Sequence, residues 1–323
     1  MPFPPRQQPP PTPGMPGGRR RAPLRLAPAA TTTPVPEMYM ELLSPSERRN
    51  ALSMNGEKLQ KGAMLSLVLV RTTLSRYTEC KIDPRSFEFK KNKFGKPEIL
   101  WQSDDVRMKW PLYFNISHTS SLIACCITMG TPIGIDFEEK KRKTAKSILS
   151  LARRYFTPPE VDYLSKIPDP EAQQKEFIKL WTLKEAYVKA LGRGFSGAPF
   201  NKFSIMLTEK NGIQISVVRV FPYFSFFSSS ICATCVEALL NYVIGVPKVF
   251  QDSNSSCDSL SENWQFALAE LNNSHYMAAC IEDDARTSGS GNGQLPPGLK
   301  IWKTIPLVED TLVSGTKAVK LIC

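Results

Sequence analysis

Two carboxylates, Asp136 and Glu138, are the residues whose type and spacing most clearly suggest chemistry. They stand two apart in the run from Pro132 to Glu139, where apolar residues alternate with small or acidic ones. Because side chains alternate across a strand, both carboxylates should leave the same face, and Gly134 should leave that face open beside them. Two close negative charges repel, which favours a cation or a proton between them. An exposed edge strand that runs into a charged turn is the alternative interpretation.

A third carboxylate lies on a predicted helix further along the chain. Glu185 stands four residues before Lys189 and one turn after Trp181, and Lys184 adjoins it. If this helix packs on the strand, the three carboxylates offer oxygen ligands that suit Mg²⁺, with lysines nearby for phosphates. The alternative is an ion pair on the helix surface, which contributes only about 0.3 to 0.5 kcal/mol.

Two further features suit an anionic ligand. His118, one of only two histidines, follows a predicted strand about eighteen residues before the carboxylate pair. A turn at Phe94 to Pro97 follows the basic stretch at residues 90–93, and its backbone and Lys96 suit a phosphate. The alternatives are a structural hydrogen-bonding histidine and a solvated basic loop.

Hydrophobic periodicity and capping patterns predict the elements that position these residues. The predicted helices begin at Ser44, span Glu57 to Tyr77 and 144–156, begin at Thr157, and span Pro170 to Leu191. The predicted strands are 113–117, 122–127, 132–138, 203–207, 213–217, 264–268 and 276–281, with a type I′ turn at Asn211 and Gly212.

The chain has 323 residues, room for one large domain or two ordinary ones, and a formal net charge of +11. This surplus suggests an anionic partner, either nucleic acid, an acidic protein or a polyphosphate ligand. Eight cysteines without a disulfide-framework spacing suggest a reducing compartment. The pair Cys232 and Cys235 has redox spacing but lacks the context of a redox or zinc site, and we assign it no function.

The first 36 residues contain 12 prolines, five arginines and no acidic residue, which predicts a disordered leader. The expected location is the cytosol, or a mitochondrion or plastid if this leader is a transit peptide. The charge-poor stretch from Val220 to Val236 is interpreted as an irregular insertion, so no stable membrane span is expected.

From about Leu42 to Ile281 the chain resembles the Sfp-type 4′-phosphopantetheinyl transferases, particularly the eukaryotic single-chain enzymes. The resemblance rests on three blocks in order, which are Phe114 to His118, Pro132 to Glu138, and Trp181 to Lys189. The turn at Phe94 to Pro97 also looks like the one that precedes the first block in this family.

The resemblance implies an α+β fold, a pseudo-twofold pair of similar half-domains with the active site in the cleft between them. The leader would be residues 1–37, the half-domains 38–130 and 131–287, and the Gly-rich tail 288–323. Coenzyme A and Mg²⁺ would bind in the cleft, and the phosphopantetheine arm would pass to a serine hydroxyl of an apo acyl or peptidyl carrier protein. The carriers of fatty acid and lysine metabolism are examples.

Carried over position by position, the resemblance also implies residue roles. The metal ligands would be Asp136, Glu138 and Glu185. The catalytic residues would be Glu185, Lys189 and His118. The residues that hold coenzyme A would be Lys96, Ser117, His118, Lys184, Lys189 and Lys61. The partner would be an acidic carrier protein rather than nucleic acid, and the chain is expected to be a monomer.

Two departures from the family pattern are expected to matter. Family members ordinarily begin with an apolar strand, and here the Pro-rich leader occupies that place. An apolar insertion at about 218–250 has no counterpart, which suggests a product of an alternative transcript or gene model. The first alternative function is therefore a catalytically impaired form that only binds coenzyme A or carrier proteins. A lesser one is a Mg²⁺-dependent nuclease built on Asp136 with Glu139 and Lys141.

Overall fold

The structure is a computed structural model, and it describes residues 23–28, 37–109, 111–142, 144, 147–209, 213–216, 264–282 and 300–322. The fold mixes helices and sheets, as predicted. The helices are α1 Glu37–Met40, α2 Pro45–Leu52, α3 Glu57–Tyr77, α4 Asp104–Lys109, α5 Ile148–Tyr155, α6 Pro158–Ser165, α7 Pro170–Leu191 and α8 Gly194–Gly197.

The strands form two main sheets and two small hairpins. They are β1 Pro23–Pro28, β2 Glu88–Lys91, β3 Pro97–Leu100, β4 Leu112–His118, β5 Leu122–Met129, β6 Ile133–Glu139, β7 Met206–Glu209, β8 Ile213–Ser216, β9 Trp264–Leu271, β10 His275–Glu282, β11 Lys300–Ile305, β12 Glu309–Leu312 and β13 Val319–Leu321. The first sheet has the order β12-β11-β1-β5-β4 and the second β13-β9-β10-β6, while β2 pairs with β3 and β7 with β8.

The two main sheets pack face to face, and one long helix covers the outer face of each. The alternation on β5 shows this clearly, because Cys126 belongs to the core between the sheets and its neighbour Cys125 to the core under α3. Ile135 on β6 and Met277 on β10 fill the same inter-sheet core from the second sheet. The resulting layers are α3, first sheet, second sheet and α7, a solution that buries both faces of each sheet.

The two long helices have the bounds that their periodicity predicts. Asp169 caps the start of α7 by accepting a hydrogen bond from the backbone nitrogen of Ala172, and Gly192 ends it in the left-handed conformation. At the start of α2, Ser44 and Glu47 form the predicted capping box. The short helix α8 follows directly after the end of α7.

The predictions for both ends of the chain are wrong in part. Residues 23–28 fall inside the predicted disordered leader, yet they form β1 in the middle of the first sheet. The expected loss of a first strand is therefore not observed. Residues 300–321 fall inside the predicted Gly-rich tail, yet they supply strands to both sheets. The strands at both ends are short and are bounded by prolines or flanked by polar turns, so their hydrophobic periodicity was too weak to predict them from the sequence.

A cluster of charges joins the two ends of the chain to α3. Asp310 accepts from Arg25 of β1 at 2.5 Å, and its second oxygen pairs with Arg76 near the end of α3. These partners hold the pKa of the Asp310 carboxyl below its usual value, against the opposing effect of burial. The first sheet thus depends on contacts between residues almost 300 positions apart in sequence.

Several predictions lie outside the described residues. They are the turn at 211–212, the insertion at 218–250, the pair Cys232 and Cys235, and most of the leader. The strands that flank the predicted turn do pair as a hairpin, with Glu209 opposite Ile213. Among the helices that the structure describes, none is long and apolar enough to cross a membrane.

At Gly134 the backbone of α7 lies directly against the second sheet. The prediction of an open face beside the carboxylates is wrong, because a Cβ atom on Gly134 would overlap the backbone of Ala186 and Ala190. The absence of a side chain lets the helix backbone approach the strand, and this approach carries Glu185 and Lys189 towards Asp136.

Substituting Gly134 by Ala tests this close approach. We expect Gly134→Ala to destabilise the fold by at least about 1 to 3 kcal/mol in urea unfolding, because the added methyl group must displace backbone rather than a flexible side chain. Gly62→Ala is the matched control, since Gly62 lies in α3 with open space around its Cα, and it should be neutral or stabilising by up to about 1 kcal/mol. Equal stabilities of the two variants would contradict the close packing.

Candidate active site

Asp136 is the centre of a buried polar site that joins β4, β6 and α7. Its Oδ1 atom accepts hydrogen bonds from Lys189 Nζ at 2.6 Å and from Ser117 Oγ at 3.0 Å. Lys189 Nζ also donates to Ser117 Oγ at 3.2 Å. Asp136 is only 5 % exposed, so its interaction with Lys189 is weakly screened by water. Three separate sequence blocks therefore meet at one carboxylate.

A second link aligns the strands that carry this site. Asn115 lies on β4, and its Oδ1 atom accepts a hydrogen bond from the backbone nitrogen of Ile135 on β6 at 2.8 Å. β4 and β6 belong to different sheets and are not paired through their backbones. The side chain of Asn115 therefore provides a hydrogen bond between them. Because Asn115 and Ser117 are two apart on the strand, both point towards β6.

Glu138 and Glu185 carry negative charge beside Asp136. Burial raises the pKa of Glu138, and the charge of Asp136 raises it further, while Arg142 and Lys189 oppose the shift. Burial likewise raises the pKa of Glu185, again with a contribution from Asp136. In both glutamates burial is the larger cause, and the charge of Asp136 acts in the direction expected for neighbouring carboxylates.

The carboxylates fit a divalent cation by their chemistry, although they do not form a finished cage. The Oδ2 atom of Asp136 is buried and has no hydrogen-bond partner among the residues that the structure describes, which is costly for an anionic oxygen unless a cation occupies its free side. Glu138 instead pairs with Arg142 at 2.5 Å. Within the described part of the chain, no group of three or more acidic, His or Cys side chains is arranged to hold a metal, so the predicted convergence of three oxygens is not formed here.

The predicted phosphate contact of Lys184 is corrected by the structure. Lys184 is fully buried on the opposite side of α7, where its Nζ pairs with Glu160 at 2.8 Å and donates to the carbonyl oxygens of Phe200 and Phe203. Burial lowers the pKa of Lys184 to about 8. Although Lys184 adjoins Glu185 in sequence, consecutive residues on a helix point about 100° apart, so Lys184 serves the core.

Lys96 reaches the same region but is bonded to backbone. Its Nζ donates to the carbonyl oxygen of Lys189 at 2.6 Å and to that of Ile133 at 3.1 Å, and burial lowers its pKa to about 8. The turn that carries Lys96 is also tied to the end of α7, because Asn92 Nδ2 donates to the Gly192 carbonyl oxygen at 2.8 Å. Lys96 therefore positions α7 against β6 in this structure, and its contact with a phosphate stays a prediction.

The other two predicted ligand-binding residues stand apart from this cluster. His118 is exposed at the end of β4, one residue after the buried Ser117. Lys61 lies in the second turn of α3 and pairs with Glu57 on its own helix at 2.7 Å. Their contacts with coenzyme A stay predictions.

Arg142 and Asn115 are the site residues that the sequence reasoning missed. Arg142 lies in a run of charges that was interpreted as a solvated turn, but its spacing of four residues from Glu138 was a usable signal. Asn115 lies two residues before Ser117 on the same strand, so period-two alternation could have placed it on the same face.

The buried position of Lys184 makes a sharp prediction about stability. We expect Lys184→Met to lower the free energy of unfolding by about 3 to 5 kcal/mol, because it leaves Glu160 charged and unpaired inside the protein. Lys179→Met, on the same helix but in a partly exposed pair with Glu176, should cost less than about 1 kcal/mol. Chemical unfolding measures both free energies. A Lys184→Met protein with the stability of the wild type that has lost only its affinity for coenzyme A would contradict the core role and support a phosphate contact for Lys184.

Comparison with known proteins places this site in a family. A sequence model of the 4′-phosphopantetheinyl transferase superfamily matches residues 132–246. The 4′-phosphopantetheinyl transferase Sfp of Bacillus subtilis (strain 168) is 31 % identical over 182 residues, which cover 56 % of this chain and 74 % of that protein. The 4′-phosphopantetheinyl transferase HetI of Nostoc sp. (strain PCC 7120) is 30 % identical over 168 residues, covering 52 % of this chain and 66 % of that protein. The chain therefore belongs to the 4′-phosphopantetheinyl transferase superfamily.

Proposed function

We propose that this chain transfers the 4′-phosphopantetheine arm of coenzyme A to a serine hydroxyl of an apo carrier protein, with Mg²⁺ as cofactor. The observation that carries this proposal is the cluster in which Lys189 and Ser117 meet Oδ1 of Asp136, while Oδ2 of Asp136 lacks a partner. Relatives of this chain that are about 30 % identical to it are named 4′-phosphopantetheinyl transferases.

In this reaction the serine Oγ atom forms a bond to the β-phosphorus of coenzyme A, and the bond from that phosphorus to the bridging oxygen breaks. The departing group is 3′,5′-ADP. Negative charge spreads over the phosphate oxygens, so catalysis consists mainly of positioning and charge stabilisation. Bound Mg²⁺ would supply positive charge to the diphosphate, held by Asp136, Glu138 and Glu185.

Lys189 supplies the protein's own positive charge at this place. Asp136 and Ser117 hold its ammonium group, and the carbonyl contact of Lys96 fixes the backbone of α7 at the same residue. Because the ammonium retains donor capacity beyond these bonds, it can also donate to an oxygen of the departing 3′,5′-ADP. We assign His118 to a phosphate contact at the mouth of the site.

Glu185 is the proposed acceptor of the serine proton, directly or through water. Burial, together with the charge of Asp136, raises the pKa of Glu185, which makes its carboxylate a stronger base than an ordinary exposed one. Arg142 pairs with Glu138 and not with Glu185. The proton therefore has a defined destination within the chain.

The proposal extends to the fold and the partner. We propose that the two sheets, each covered by one long helix, are half-domains related by a pseudo-twofold axis, divided near residue 130 where β5 leaves the first sheet. The acceptor would be an acidic acyl or peptidyl carrier protein, since the chain carries a net charge of +11. We also propose that the protein acts as a monomer.

The alternative functions have less support. The nuclease hypothesis needs Glu139 and Lys141 beside Asp136. Glu139 stands three residues after Asp136 on β6, which places it on the other face of the strand, where it accepts a hydrogen bond from Ser120. Lys141 is exposed. The hypothesis of an impaired binding form rested partly on a missing first strand, and β1 is present. Its other ground, the insertion at 218–250, lies outside the described residues.

Incubation of the purified chain with coenzyme A, Mg²⁺ and apo carrier proteins tests the proposal. Intact-mass spectrometry should show the phosphopantetheine increment on the carrier, and a chelator should abolish it. A folded protein that binds coenzyme A but modifies no carrier would favour the impaired binding form.

Glu185→Gln isolates the proposed base and metal ligand. We expect the transfer rate to fall by at least about 100-fold, because the amide neither accepts the proton nor binds a cation as a carboxylate does. Glu171→Gln, an exposed change on the same helix, is the matched control and should transfer at the wild-type rate. Since removal of a buried repulsive charge should not unfold the protein, wild-type activity in Glu185→Gln would show that the carboxylate was wrongly assigned.

A further inference from the structure

A short turn of three hydroxyl residues, Thr119, Ser120 and Ser121, connects β4 to β5 directly after His118. The backbone nitrogen of Thr119 donates to the carbonyl oxygen of Leu122 at 2.8 Å. The Oγ1 atom of Thr119 accepts from the backbone nitrogens of Ser121 and Leu122 at 3.3 and 3.1 Å. This turn, here called the hydroxyl turn, therefore has a defined shape, and it determines where β4 ends at His118.

The second sheet reaches the hydroxyl turn through His275, the first residue of β10. The Nε2 atom of His275 lies 3.2 Å from Ser121 Oγ and 3.4 Å from Thr119 Oγ1. Its Nδ1 atom lies 2.8 Å from Ser274 Oγ, within its own hairpin. Because a hydroxyl can donate or accept, these contacts are available to either tautomer of the neutral ring. Both ring nitrogens of His275 thus have partners from the protein.

Glu139 provides a second contact from the neighbouring strand. Glu139 and His275 stand opposite each other in the antiparallel pairing of β6 with β10, and Glu139 Oε1 accepts from Ser120 Oγ at 2.5 Å. In the described part of the chain the two main sheets share no backbone pairing. Side chains of the second sheet therefore fix the hydroxyl turn of the first sheet at this edge.

The hairpin that presents His275 is itself a tight turn. Asn272 and Asn273 both have positive φ, 47° and 57°, a region that asparagine adopts more readily than most residues with a side chain. The backbone nitrogen of Ser274 donates to the carbonyl oxygen of Leu271 at 2.9 Å and closes the turn. The position of the His275 ring is thereby determined from its own strand.

We infer that His275 is a positioning residue for coenzyme A, because it holds the hydroxyl turn, and with it His118, against the second sheet. The inference rests on the proposed function, in which His118 contacts a phosphate of coenzyme A while residues of β6 hold the metal. Coenzyme A then bridges the two sheets, so its affinity depends on how firmly their edges are held before it binds. Since hydroxyl groups engage both ring nitrogens, His275 acts through the turn and not as a ligand of the coenzyme.

Titration calorimetry of coenzyme A with the full chain tests this role. We expect His275→Ala to raise the Kd for coenzyme A about three- to tenfold, because the loss of one or two hydrogen bonds leaves the turn less well ordered before binding. Ser274→Ala removes only the contact within the hairpin, and as the matched control it should bind coenzyme A like the wild type.

Two conservative variants distinguish the two ring nitrogens. The side-chain amide of Gln can occupy the place of Nε2, and that of Asn the place of Nδ1. His275→Gln should therefore regain the wild-type affinity for coenzyme A, whereas His275→Asn should bind as weakly as His275→Ala. A general loss of stability in the hairpin would not separate Gln from Asn, and urea unfolding of each variant provides the control for folding.

A double-mutant cycle with His118 tests how the effect reaches the coenzyme. His118→Ala should itself weaken binding, and adding His275→Ala should weaken it less than twofold further, since His275 acts through His118. Additive effects of the two changes, unchanged affinity in His118→Ala, or equal affinity of the wild type and His275→Ala would each overturn the inference. Failure of the proposed function appears separately, as wild-type protein that binds no coenzyme A or that binds it and modifies no carrier.

Discussion

The bond between Asp136 and Lys189 is the interaction on which the rest of the site depends. It joins the second sheet to α7 inside the protein, and Ser117 brings the first sheet to the same carboxylate. Charge in a buried position needs such compensation, since an unpaired carboxylate there would be strongly disfavoured. Gly134 makes the bond possible by allowing the helix backbone to lie against the strand. The architecture of two sheets and two long helices thus converges on one ion pair, and the second carboxylate oxygen of Asp136 has no partner in the described part of the chain.

The three carboxylates of the site differ in how neighbouring cationic side chains compensate their negative charge. Asp136 is paired with Lys189, Glu138 with Arg142, and Glu185 keeps a raised pKa beside both of them. On these contacts we propose that Asp136 anchors the metal and that Glu185 accepts the proton. Arg142 supplies the positive charge that compensates Glu138 in this structure.

Much of the fold and of the site could be predicted because local signals were strong. The hydrophobic periodicity of α3 and α7 predicted their bounds, and alternation in β6 placed Asp136 and Glu138 on one face. Predictions failed where tertiary contacts decide. β1 is recognisable only through its neighbours β5 and β11, and Lys184 points into the core because of Glu160, which lies 24 positions earlier. Lys184 and Glu185 are adjacent in the motif and were both assigned to the ligand site, although consecutive residues of a helix point in directions about 100° apart.

Binding of Mn²⁺, a spectroscopic substitute for Mg²⁺, tests the central claim that Asp136 anchors a divalent cation. Electron paramagnetic resonance of free Mn²⁺ can be followed in the presence of coenzyme A for the wild type and for Asp136→Asn, with native circular dichroism as the control for folding. The account predicts that the wild type binds Mn²⁺ and that Asp136→Asn binds it at least about tenfold more weakly, because the amide lacks the charge that the cation requires. Equal Mn²⁺ affinity of the two folded proteins would contradict it.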